Sequence, residues 1–359
     1  MKAVPAVRTL SRRELTVALA ARQMLLSRSR ASPAEAIRRL TPLQGQHAPA
    51  PYLALAARVE GFAREQLKTA LADGSVVKST LMRLTLHLAA AADYPAYHEL
   101  ARQARMRTWR NRYAHLDEGE VAASLAAWLR EPRTNDDIRE RVGRYGVPSE
   151  GWEPVIFART LLPLVQLPPA GFWNDRRRPR FVVHPGPYPD PAAAATVVLR
   201  RYLAAFGPAT RRDMAAWAGV AQRDFTEALA QVRTVSYRGE RDAELLDLPD
   251  QPLPPASTRL PVRLLANWDQ PLLAYAQRER ILPAELAHLQ LTQNGKPTVT
   301  VDGRVAATWS LERDVARARV SVTPLVEISR AARREIREEA KRVALVCEPD
   351  ARRVSIRGV

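Results

Sequence analysis

Thr210-Arg-Arg-Asp-Met-Ala-Ala-Trp-Ala-Gly219-Val-Ala-Gln-Arg-Asp224-Phe-Thr-Glu-Ala-Leu-Ala-Gln-Val232 carries the clearest structural signal in the chain. Thr210 is placed to cap a helix, because its hydroxyl can take one of the orphan amides of the first turn. Gly219 ends that helix, since glycine enters the left-handed region at little cost. Asp224–Val232 then reads as a second amphipathic helix. A capped helix, a glycine turn and a second helix make a helix-turn-helix, with Asp224–Val232 as its expected recognition helix. Strands near Thr234–Tyr237 and Glu244–Leu248 would add a wing.

The same order of elements recurs upstream. Ala192–Phe206 is a helix that follows the proline-rich joint His184–Pro191, so a third unit spans 189–250. In a second unit, 116–188, Gly119–Leu129 has helical spacing, Thr134-Asn-Asp-Asp137 caps a helix to about Tyr145, and Glu153–Leu162 is a third helix. Val165–Leu167 and Arg180–Val183 are expected wing strands, separated by the basic tip Phe172–Arg180. In the first unit, 8–115, Ser11-Arg-Arg-Glu14 is a capping box. Ser32-Pro33-Ala-Glu35 repeats that signal with proline at the first helical position. Thr41-Pro42 stops the second helix, because proline disfavours helical backbone before it. Helices at Tyr52–Arg58 and Arg64–Ala72 follow, then strands at Val76–Lys78 and Thr85–Leu88, then a long helix over Asp93–Tyr113. The three units, starting near 11, 119 and 192, share element order but not sequence. The linker Pro249–Ser257 leads to a different module, 258–359, with a hairpin turning at Asp302-Gly303 and a charged terminal helix over Ser329–Val346. The expected fold class is mainly α with small β wings (α+β): tandem winged helix-turn-helix units plus a C-terminal hairpin-containing module.

Charge narrows the partner. The formal net charge is +17 over 359 residues, which favours a polyanion, and nucleic acid is the commonest one. The single cysteine, Cys347, forms no internal disulfide, anchors no iron–sulfur cluster and builds no thiolate zinc site. The six histidines show no HExxH-like spacing. An organic active site without metal or cofactor is therefore expected. No apolar run reaches the length of a membrane span, and the N-terminus lacks a secretion-signal core. Both point to a cytoplasmic, nucleoid-associated protein.

Two short stretches stand between helical segments of the first unit: Leu43-Gln44-Gly45-Gln46-His47 and Leu81-Met82-Arg83-Leu84-Thr85-Leu86-His87. With their surroundings, LTPLQGQHAPAPYLALAARV and VKSTLMRLTLHLAAAADY, they resemble the bacterial winged-helix DNA glycosylases of the AlkZ/YcaQ type. That family carries a Gln-aliphatic-Gln or Gln-aliphatic-Asp pair in a similar frame, followed by an MRGTLHL-like strand. Tyr202–Thr210 with Trp217-Ala-Gly219, Arg263–Leu273 and VDGRVAATW are also similar, so the resemblance runs from about 8 to 345. Four places depart from it: Gly45 replaces the aliphatic residue, Leu84 stands where glycine is usual, Trp268 where phenylalanine is, and Gln277 before Arg278 where aspartate is.

The resemblance implies an enzyme that breaks the bond between sugar C1′ and a damaged base of double-stranded DNA. An N7- or N3-alkylated purine already carries positive charge and leaves as a neutral molecule, so little acid catalysis is needed. What remains is to hold a water on the opposite face of the sugar. A glutamine amide oxygen can accept from that water but cannot act as a strong base. Gln46 is expected to position the water and Gln44 to orient it or hold the nucleotide backbone, with Thr85 and His87 in support. Arg83, Arg176, Arg177, Arg178 and Arg180 are candidate DNA contacts, as is Arg304 on the hairpin, since in the resembling family a hairpin probes the DNA groove. Implied substrates are N7-alkylguanine, bulky adducts or interstrand crosslinks, with self-resistance to a DNA-alkylating natural product as one biological role. A chain holding three units is expected to act as a monomer. The competing expectation is a non-catalytic winged-helix DNA-binding protein or transcription regulator, and a third is an RNA-binding protein.

Overall fold

The computed structural model describes residues 7–314 and 317–359. Helices dominate, and three sheets join them into a mixed α/β architecture. Local signals set most helix starts. Ser11, Ser32, Thr134 and Thr210 each accept from the amide three residues on, and the acidic side chain there bonds back, closing four capping boxes. The resulting helices are Arg12–Arg22, Pro33–Leu40, Asn135–Gly143 and Arg211–Ala218.

The first two pairs of expected wing strands do not stay apart. Val76–Thr80 and Leu86–Ala90 form one antiparallel pair, Leu164–Gln166 and Phe181–Val183 another. Lys78 pairs with Gln166 and Ser79 with Val165, which fuses them. Leu43–Gln44, read from sequence as part of a connection between helices, adds a fifth strand on the outer edge beside Leu86–Ala90. Two residues are too short for an alternating pattern to declare itself.

In the helix-turn-helix segment Gly219 ends the first helix with φ 70°. The second helix is shorter than the expected Asp224–Val232. Gln222–Phe225 is a 3₁₀ turn, because the Asp224 carboxylate accepts from the Ala221 amide at 2.9 Å and tightens the start, and only Thr226–Gln231 is α-helical. Val235–Arg238 and Glu244–Asp247 then form a two-stranded ribbon.

The C-terminal hairpin belongs to a larger sheet. Thr298–Val301 and Arg304–Asp314 turn at Asp302 and Gly303, both with positive φ. Arg263–Leu265, Arg317–Pro324 and Arg353–Arg357 complete five strands. The terminal helix, Arg330–Cys347, packs its Ile336, Ala340 and Val343 face into the same core as Leu40, Leu43 and Leu55. First unit and last module thus share one apolar interior. A second core joins the Tyr94–Arg112 helix to Pro191–Phe206 and Trp217, and a third lies under the helices from Glu118 to Leu161. No helix among the described residues is long and apolar enough to cross a membrane.

Candidate active site

The edge strand Leu43–Gln44 lies with Leu43 opposite Leu88 and Gln44 opposite His87. Strand side chains alternate faces. Leu43 faces the shared core, and the side of Gly45 faces Leu88, where an added Cβ would meet the Leu88 methyl at 2.8 Å. Gln44 and Gln46 take the opposite side. The departure at Gly45 therefore has a physical basis: the backbone runs close over a buried leucine.

Gln44 is buried and both ends of its amide are engaged. Its Nε2 donates to Thr85 Oγ1 at 3.1 Å, and its Oε1 accepts from the Gln46 amide at 2.9 Å. Gln46 is exposed, and its Oε1 lies 3.4 Å from the Leu86 amide. Thr85 is anchored in turn, its hydroxyl donating to the Met82 carbonyl at 3.2 Å. His87 is fully buried, and its Nδ1 lies 2.9 Å from the Thr85 carbonyl, the geometry of an Nδ1–H tautomer. Burial, followed by the nearby Arg83 guanidinium, depresses its pKa to about 3, so the ring is neutral at ordinary pH. The four residues meet, and none of their side-chain hydrogen bonds among the described residues goes to a carboxylate.

Met82–Leu84 forms the turn that carries Thr85. Arg83 and Leu84 hold φ of 53° and 58°, a conformation that costs a non-glycine residue about 1–3 kcal/mol. The turn persists because it is clamped. The Arg83 guanidinium donates to the Trp217 carbonyl, and that of Arg105, on the Tyr94–Arg112 helix, donates to the Leu81 carbonyl. Gly219 lies so close that a Cβ there would meet the Arg83 amide nitrogen at 3.0 Å. Arg83 thus uses its charge inside the protein, and burial lowers its pKa to about 10.

Other sequence candidates lie apart from this site. Arg177 pairs with Asp175 at 2.6 Å, Arg178 with Asp136 at 3.0 Å, and Arg180 donates to the Pro132 carbonyl at 3.0 Å. Arg176 is exposed and makes no ion pair among the described residues. The Asp302-Gly303 turn does not project. Arg13 donates to the Asp302 carboxylate at 2.7 Å, and a Cβ on Gly303 would strike Leu260 at 2.4 Å. Arg304 is half-buried at the base of this docked turn.

Residues that sequence reasoning passed over hold the site from behind. Gln270 donates to the Pro42 carbonyl, next to the Leu43–Gln44 strand, and accepts from Trp217 Nε1 at 3.3 Å. Beside it, the fully buried Arg58 pairs with Asp269 at 3.1 and 2.5 Å. His47 Nδ1 reaches Asn267 Oδ1 at 3.2 Å. The motif Asn267-Trp-Asp-Gln270 was visible as part of a resemblance, but its partners were not. An open groove of about 480 Å³, lined by Arg107, Thr108, Asn111, Arg112 and Arg223, is a second feature that lacked a sequence signal. It opens on the helix whose Arg105 clamps the turn.

In the groove Arg107 pairs with Asp224 at 2.8 Å and Arg112 with Glu153 at 3.0 Å, whereas Arg223 is exposed and makes no ion pair among the described residues. The amide-lined site suits a reaction that needs an oriented water. Comparison with known proteins bears directly on this. The model of the family "DNA glycosylase AlkZ-like" matches residues 37–346, and the chain belongs to that family: it is a DNA glycosylase, a hydrolase acting on N-glycosyl bonds. Among individual proteins, it is 24% identical over 362 residues to an interstrand DNA cross-link repair glycosylase of Streptomyces sahachiroi, covering 90% of this chain and 93% of that one. Its fold matches the solved structure of the Streptomyces sahachiroi DNA glycosylase AlkZ with a TM-score of 0.81, over 98% of this chain and 100% of the other.

Proposed function

We propose that this chain is a monofunctional glycosylase that removes cationic alkylated purines, N7-alkylguanine above all, from double-stranded DNA and leaves an abasic site. The observation that carries the reading is the exposed Gln46 amide, braced by Gln44 and Thr85 with no carboxylate in their hydrogen bonds among the described residues. The C1′–N bond breaks and its electron pair neutralises the positive base, which departs. The oxygen of a water held by Gln46 bonds to C1′ and sheds its proton to solvent, because an amide does not take it. Gln44 keeps the Gln46 backbone amide in place. The site is open at Gln46 and His47, which suits bulky adducts and crosslinks that cannot be swung into a closed pocket. The crosslink-repair description of the relative supports the same substrate class. Tandem winged helix-turn-helix units, acting within one monomer, would track the duplex, with Arg176 to Arg180 and the Arg107–Arg223 groove meeting phosphates.

The test is base release from duplexes carrying N7-methylguanine or uracil, read by cleavage at the abasic site. Release of N7-methylguanine but not uracil is expected, with Gln46→Ala slower by about a hundredfold and Gln44→Ala also impaired. Full activity of both variants, or release of uracil, overturns the chemistry.

A further inference from the structure

Leu84 is one of four large apolar residues left exposed among the described residues, with 48% of its surface open. Its place in the structure is unusual. Its backbone lies at φ 58°, where side chains are rarely carried, and its neighbour Arg83 is in the same region. Asparagine and glycine adopt this conformation readily, whereas leucine gains nothing from it. The turn cannot relax, because Arg83 is held by Trp217, Leu81 by Arg105, and the Arg83 backbone by the close approach of Gly219. A strained, rigid backbone therefore presents an apolar side chain to solvent one residue before Thr85, which holds Gln44. Two polar features are tied to this turn: exposed Gln46, whose Oε1 lies 3.4 Å from the Leu86 amide, and, on the helix whose Arg105 holds Leu81, the groove of Arg107, Arg112 and Arg223, in which Arg107 also pairs with Asp224 and Arg112 with Glu153. From Arg105, which holds the turn, to Arg112 at the far end of the groove that helix rises about 10 Å.

We propose that Leu84 is an apolar wedge that enters the base stack of duplex DNA beside the nucleotide being processed, parting neighbouring bases so that water reaches C1′ without full extrusion of the lesion. Apolar side chains that enter a base step lower the cost of unstacking by covering the exposed ring faces. The assignment rests on the functional reading given above for Gln44 and Gln46. It adds a determinant of substrate form: the wedge serves stacked duplex and is idle on a single strand.

Leu84→Asn and Leu84→Gly test this, since both residues suit the backbone and remove the apolar surface. The thermal midpoint should stay level or rise. With 2-aminopurine beside N7-methylguanine, wild-type protein should brighten the duplex, and Leu84→Asn should lose most of that signal. Release of N7-methylguanine from duplex should fall at least about tenfold in both variants, while release from the same single-stranded oligonucleotide stays within about twofold. Unchanged duplex release and unchanged 2-aminopurine signal in a stably folded Leu84→Asn overturn the proposal, as does a wild-type protein that never brightens the duplex. If wild type brightens the probe yet releases no base, the glycosylase chemistry fails while the wedge stands, which separates the two.

Discussion

Gln44 has no free end, and that shapes what its neighbours do. Its amide ties Thr85 to the Gln46 backbone, so the reach of Gln46 is set by a chain of two hydrogen bonds that begins at a threonine hydroxyl. Thr85→Val keeps the shape and removes the acceptor. A hydrogen bond of this kind is worth about 0.5–1.5 kcal/mol, so a loss of up to about tenfold in kcat is expected, with KM nearly unchanged and the thermal midpoint lower by a few degrees. Single-turnover release of N7-methylguanine measures it, and an unaltered rate would remove Thr85 from the site. At this scale the sequence was informative about identity and silent about direction. Gln44, Gln46, Thr85 and His87 were singled out and do come together. Arg83 was read as a DNA contact, but its guanidinium turns inward to Trp217, a partner 134 residues away that no local pattern reveals.

The strand Leu86–Ala90 and the helix Tyr94–Arg112 each bury a neutral imidazole. Burial first, then the surrounding arginines, holds both His87 and His98 at a pKa of about 3, against an ordinary 6.5. The unfolded chain takes up these protons first. Stability from the two rings is thus complete above about pH 6.5 and declines as pH falls toward 3, by up to about 1.4 kcal/mol per pH unit for each ring. Urea midpoints at pH 7.5 and 5.5 should differ accordingly, and His98→Gln should flatten the dependence; an equally steep dependence in that variant would contradict the assignment. Elements with chemical punctuation were legible: caps and prolines placed most helices to within a few residues. Leu43–Gln44 and Arg263–Leu265 were not, because such short buried strands have no period of their own. Arg353–Arg357 is legible only once its parallel partner is known.

Over the whole molecule, distant segments are bound by buried charge. Arg22 meets Asp247 at 2.7 Å and Arg58 meets Asp269, joining early helices to the Glu244–Asp247 strand and to the cap of the short helix that begins at Gln270. Pairings across about two hundred residues lie beyond any periodicity, which is why the sequence reading stopped at a string of units. The merger of the first two ribbons into one sheet went unseen for the same reason. The surplus charge of +17 was read directly, and its use is measurable. Replacing by glutamine the exposed Arg176 and Arg223, which make no ion pair among the described residues, should each lower the slope of log affinity against log salt by up to about 1, with little effect on base preference. Fluorescence-anisotropy titrations across a salt series check this; an unchanged slope would place the duplex elsewhere.

The close passage of Gly45 over Leu88 carries an implication for how this site can vary. Position 45 belongs to the packed interior, while positions 44 and 46 carry the glutamines proposed for the chemistry, and a two-residue repeat keeps them apart. Volume at 45 can be exchanged with volume at 88, a lineage gaining a methyl at one by losing it at the other. Spacing has no such freedom, since one residue inserted between the glutamines would turn one of them to the wrong face. The motif is therefore held by its length more tightly than by its middle letter.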